Sequence, residues 1–164
     1  MDQLLGLLIA VPLLGATLAG LFVVMNALFT SVVARTCEAA ETQAARSFLV
    51  GLVNLIFAGA LISAIIALAD STGLDFVIVV AVLLAAVLVI GVTFGLAAMV
   101  QIVGARIMPG GQGLRPLVWG TIALTLGCLT PYVGWFGLLP YVALRGLGAF
   151  VLALYSRRRK VEPA

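Results

Sequence analysis

The chain has 164 residues, of which 64% are hydrophobic and 9% charged, with nine Lys/Arg, six Asp/Glu, no histidine and a formal net charge of +3. A mean hydropathy of +1.30 excludes a soluble globule, because a soluble domain needs roughly a quarter of its residues charged to cover its surface. Spans of about 20 residues use up nearly the whole chain, so the sequence predicts one multi-pass membrane domain over residues 1–164.

The first apolar block is Leu4–Val33. It lacks a basic n-region and is too long for a signal-peptide core, so it is expected to stay in the protein as one helix. Pro12, Gly15, Ala19, Asn26 and Thr30 fall within about 60° of one another at 100° per residue, a small and polar stripe suited to close helix contact. After the connector ARTCEAAETQAARS, the block Phe48–Ala69 repeats the arrangement with Gly51, Asn54 and Ala58. The loop DSTGLD then leads to Phe76–Val103, where Gly91 and Gly95 form a G-x-x-x-G pair. Internal packing is the expected role of these faces. Asn26 and Asn54 are expected to hydrogen-bond between helices, since two amides do not make a selective pore.

The last block, Leu117–Tyr155, follows GARIMPGGQGLRP. As one helix it would extend to about 60 Å, twice the hydrocarbon thickness, with TPYVGWFGLLP unbroken inside it. Pro131 and Gly134 supply turn chemistry, so the block reads as a tight hairpin. Tyr132 and Trp135 at the bend, and Trp119 and Tyr155 near the other ends, match the aromatic enrichment of membrane interfaces. The fold class is therefore an all-α integral membrane protein. Four long blocks are read as five helices, at about 4–33, 48–69, 76–103, 117–130 and 134–155. The fourth, being short, is a tilted span or a re-entrant dip.

Charge supports the hairpin. It gathers Arg35, Arg46, Arg106, Arg115, Arg157, Arg158, Arg159 and Lys160 on one side, with Asp2, Asp70 and Asp75 on the other. Positive-inside bias then places the tail in the cytoplasm and the N-terminus outside. A single last span would split the basic residues evenly and leave no bias. The tail residues Arg157, Arg158, Arg159 and Lys160 are also placed to meet anionic lipid headgroups, at about 1 kcal/mol each.

Groups able to carry chemistry are scarce. The two cysteines, Cys37 and Cys128, are far apart in sequence, and without histidine neither a Cys/His metal site nor a histidine-ligated haem can be assembled. PGGQG lacks the Lys-Ser/Thr ending of a phosphate-binding loop. No carboxylate lies within a predicted span, so an intramembrane proton relay has no candidate. No catalytic residue, metal or cofactor is predicted, and no nucleic-acid partner.

Arg145 is the exception among the apolar segments. It lies near mid-depth of its predicted helix, where a cation costs about 2.5–3.5 kcal/mol on insertion scales. Tyr141 is one turn earlier, and Asn26 or Asn54 could reach it across the bundle. Its counter-charge is expected to be a lipid phosphate reached by snorkelling, an internal polar contact, or a carboxylate of another subunit.

The apolar helix from Phe76, the basic Gly/Pro connector, Pro131-x-x-Gly134-Trp135 at a turn and the closing RGLGAFVLAL at 145–154 together resemble the C-terminal membrane module of bactofilin-like, polymer-forming bacterial proteins. The resemblance covers residues 76–155 and implies an anchor or assembly module. The polymerising soluble domain of that family is missing from this sequence. Two function classes follow: a non-catalytic membrane subunit or anchor that scaffolds a larger complex of other subunits or copies of itself, and a small oligomeric channel or transporter. One arginine and no internal repeat favour the first.

Overall fold

The computed structural model describes residues 2–73, 76–111, 114–130 and 132–159, the side chains of 2–12, 14 and 157–159 excepted. The elements are α1 (Asp2–Leu28), α2 (Thr30–Thr42), α3 (Ala44–Thr72), α4 (Phe76–Ile107), α5 (Arg115–Leu129) and α6 (Leu139–Arg159), the last entered through a π-helical turn at Gly134–Leu138. The protein is all-helical, with no strand among the described residues. Among the described residues three helices are long and apolar enough to cross a membrane: α3, α4 and the stretch Gly134–Ser156. The bent pair α1–α2 would add a fourth if it counts as one span.

These helices hold their polar side chains to themselves. Thr36 and Thr121 are fully buried, and their hydroxyls bond the carbonyls four residues back, at 2.8 and 2.9 Å. Thr93 does the same to Val89 at 2.8 Å. A hydroxyl satisfied within its own helix can face hydrocarbon or a neighbouring helix without desolvation loss. Outward positions such as Val53, Ile56 and Phe57 of α3 and Val82, Leu83 and Val87 of α4 are apolar and exposed, as lipid contact requires.

The expected helix over 4–33 is broken. The chain bends by 104° between Leu28 and Thr30, with Phe29 at φ −124°, ψ 39°. Thr30 makes the break tolerable: its Oγ1 donates to the Asn26 carbonyl at 2.7 Å. The Phe29 N–H still reaches Met25, and its carbonyl accepts from Val32 and Val33. The Phe29 ring meets Phe94 edge-on, and Phe94 stacks on Phe150, both with centroids 5.2 Å apart. Both arms of the bend flank one stretch of α4. Phe22 of α1 packs with Ala97 and Val100. On α2, Val33 packs with Phe94 and Ala98, and Ala40 with Met99 and Ile102. The pair is thus a V with its apex at Phe29.

The connector ARTCEAAETQAARS, read as a loop, is the end of α2 and the start of α3. Its helical character comes from an amphipathic stripe: Val33, Thr36, Cys37 and Ala40 point inward at i, i+3, i+4 and i+7, while Arg35, Glu38 and Glu41 are exposed. Packing against α4 and α6 supplies what the short polar segment lacks by propensity alone.

The direction of α6 also departs from expectation. Gly95 of α4 lies backbone to backbone against Gly146, and Gly91 faces Leu147 and Phe150, so α6 runs opposite to α4. Beside α3, Tyr141 lies level with Ala44–Phe48, while Gly148 meets Ser47 and Gly51. The turn before α6 is formed as Gly134 meets the carbonyls of Gly127 and Cys128. Tyr132 there takes a left-handed φ of 54°. Leu138 and Val142 pack with Met99 and Ile102, so this turn sits at the same end of α4 as the Gly110 connector, and α6 heads for the end where α3 finishes. The packing therefore carries the described end of α6 away from the end of the bundle that holds Arg46, Arg106 and Arg115.

Candidate functional site

The polar residues of the bundle converge where α2 ends, α3 begins and α6 crosses them. Backbone proximity comes first. A Cβ at Gly51 would overlap the Leu144 carbonyl, and one at Gly148 would overlap the Ser47 carbonyl; only glycine at both positions lets α3 and α6 approach this closely. That contact delivers Arg145 to the C-terminal turn of α2. Its NH2 donates to the Ala40 carbonyl at 2.8 Å, and its NH1 donates to the Tyr141 hydroxyl at 2.9 Å.

The last carbonyls of a helix lack intrahelical partners and carry the negative end of its dipole. Arg145 is therefore a cation capping α2. Ser47 assists by donating its hydroxyl to the Ala39 carbonyl at 3.2 Å. The Tyr141 ring stacks on Phe48 with centroids 5.8 Å apart, and the Arg145 guanidinium carbon stands 5.8 Å from the Tyr141 centroid, within cation–π range. Every partner is neutral. Arg145 Nε is buried without a hydrogen bond. Beside the clamp, Ala44, Ala45, Phe48, Leu49 and Tyr141 line an open groove of about 510 Å³.

Arg145 and Tyr141 thus come together as the spacing predicted, but the asparagines do not join them. The Asn54 amide donates to Val50 in its own helix at 2.9 Å. Asn26 lies next to the V, where its backbone carbonyl serves Thr30. Of the predicted packing residues, Gly51, Gly91 and Gly95 make close interhelical contacts. At Gly15 an added Cβ would stand an ordinary 4.0 Å from Thr125 Cγ2, while Ala19 and Ala58 are half-buried. The side chains of Arg157, Arg158 and Arg159, and all of Lys160, lie outside the described residues.

Sequence reasoning missed Ser47, Gly146 and Gly148, although S-x-x-x-G at 47–51 and RGLG at 145–148 carry the same small-residue spacing. It also missed Gly104 and Gly120, which join α4 to α5 by reciprocal backbone contact with Pro116 and Val100. The Ala40 carbonyl left no signal, because a main-chain acceptor has no residue type.

Cys37 sits one turn earlier on the inner face of α2, with its thiol 3.3 Å from Gln101 Oε1 and 3.5 Å from the Ala98 carbonyl. A thiol enclosed in this way is a packing group, inert as a nucleophile. In a Cys128→Ala background, maleimide labelling of Cys37 is expected to run at least about tenfold slower in mild detergent than in denaturant. Equal rates would mean that α2 is not docked.

Among the described residues no three His, Cys, Asp or Glu side chains cluster as a metal site would require. No protein-family model, curated protein or solved structure matches the chain.

Proposed function

We propose that the chain is a non-catalytic membrane subunit or anchor, in a bacterial plasma membrane, that stabilises a larger assembly. The observation that carries this reading is the use of the interior polar groups. Arg145 caps α2, Ser47, Thr36 and Thr121 bond backbone carbonyls, and Cys37 bonds Gln101. Each of these contacts serves packing. Along their middle turns the outer faces of α3 and α4 carry exposed apolar side chains such as Val53, Ile56, Phe57, Val82, Leu83 and Val87, ready for lipid, a partner helix or a second copy. The resemblance of residues 76–155 to an anchoring module points the same way.

Tagged chain extracted in mild detergent is expected to co-purify with one or more membrane proteins, or as an oligomer of defined mass. A monodisperse monomer without partners would overturn the reading. A channel or transporter is the second reading, favoured by the helix break at Phe29, since broken helices inside a membrane often line transport sites. Ion or solute flux in proteoliposomes above empty vesicles would establish it.

The membrane orientation belongs to the same proposal. Arg46, Arg106 and Arg115 lie in the terminal turns of α3, α4 and α5 at one end of the bundle, which faces the cytoplasm by positive-inside bias. The end of α6 emerges on the other face, together with Gly73. Reporter fusions at Gly110 and after Lys160 are expected to report opposite faces. The same face for both would reinstate five crossings and a cytoplasmic tail.

A further inference from the structure

We propose that the groove beside Arg145 holds an anionic phospholipid, with its phosphate at the Arg145–Tyr141 edge and its acyl chain along Phe48 and Leu49. The inference rests on the membrane reading above and names the lipid class that this site takes.

Charge complementarity carries it. The groove is apolar along Ala44, Ala45, Phe48 and Leu49, and Tyr141 closes one end. Tyr141 is shared with the cation: its hydroxyl accepts from Arg145 NH1. The partners of Arg145 are a carbonyl and a phenol hydroxyl. These compensate a guanidinium by dipoles alone, and each terminal nitrogen has a second N–H to offer. The Tyr141 hydroxyl also retains its own proton to donate. Arg46, exposed in the first turn of α3, adds a second positive charge at the same end. An amphiphile with an anionic head and an aliphatic chain meets both halves of this surface. A partner helix with a wholly apolar face would satisfy the apolar half and leave the charge unmet.

The test uses the full chain in detergent with Arg157, Arg158, Arg159 and Lys160 changed to Gln, so that the tail cannot bind lipid. Thermal unfolding is followed on adding phosphatidylglycerol, phosphatidylcholine or inorganic phosphate. Phosphatidylglycerol is expected to raise Tm by about 5 °C or more, with little effect from the other two. Ala45→Phe and Leu49→Trp fill the groove while leaving Arg145 on Ala40, so each is expected to keep the unliganded Tm and lose the shift.

Equal shifts with both lipids, or a shift intact in both groove variants, would overturn the inference. An equal shift with inorganic phosphate would reduce the site to a free-anion site and overturn the lipid. A change of oligomeric mass in the groove variants, without a lipid shift in the parent, would assign the groove to a second copy instead. Co-purification of membrane partners is measured separately, so a lost lipid shift with a retained complex would remove the lipid site and leave the subunit reading standing.

Discussion

Gly148→Leu is expected to unfold the contact between α3 and α6, with a loss of about 3 kcal/mol or more in denaturant or thermal unfolding. The added side chain has no rotamer to escape into. Its Cβ alone would occupy the position of the Ser47 carbonyl and crowd the Gly51 nitrogen. Helix backbone cannot yield locally as a side chain can, so α6 must move away as a body. Arg145 is one turn away and would move with it, losing Ala40. Destabilisation by Gly148→Leu and Arg145→Leu together is therefore expected to fall short of the sum of the two single losses. Gly59 is the control, because a Cβ there meets nothing within 4 Å. Gly59→Ala is expected to be neutral or to stabilise by up to about 1 kcal/mol, through the lower backbone entropy of the unfolded chain. A wild-type Tm in Gly148→Leu would refute the close approach of the two helices.

Arg145→Leu carries the second large effect. The substitution removes the donor to Ala40 and leaves a helix-terminal carbonyl unmet, a loss of about 1.5–3 kcal/mol for a charge-assisted bond. The insertion penalty of the arginine does not offset this, because helix 6 carries the charge in the membrane whether or not it is packed against α2. Relief comes from Nε, which is buried without a partner in the native protein, and it places the net loss at the low end of the range. Arg145→Lys can serve Ala40 or Tyr141 but lacks the planar fork that reaches both, so partial rescue is expected. Tyr141→Phe should cost less, about 0.5–1.5 kcal/mol. Unfolding in detergent measures all three. Retention of co-purifying membrane proteins in Arg145→Leu discriminates the origin of the effect. Internal capping predicts a weakened fold with its partners still bound, whereas a partner carboxylate would release the complex, since that acid would be left buried and unpaired.

Membrane residence and helical class were determined by composition and period alone. Apolar blocks this long in a chain with 9% charged residues admit one solvent and one backbone solution, because every N–H and C=O must be satisfied within the segment. Gly51, Gly91 and Gly95 were legible as contact positions for a related reason: small residues at four-residue spacing have few other uses in an apolar helix. Pairing Arg145 with Tyr141 likewise followed from helical spacing. The tertiary structure decided what depends on distant segments. Nothing local to NALFT announces a 104° bend, since Thr30 bonds backward equally well in a straight helix; the bend persists because Phe29 is held against Phe94, which is itself stacked on Phe150. ARTCEAAETQAARS is too polar and short to be a stable helix alone, and it becomes one by laying Val33, Cys37 and Ala40 on α4 and α6. The direction of α6 was beyond charge counting, because it follows from contact between Gly95 and Gly146, which lie far apart in the chain. The answer to the charge of Arg145, the carbonyl end of α2, could only come from the folded chain, because a helix dipole has no letter in the sequence and exists where packing brings the helix end to the cation.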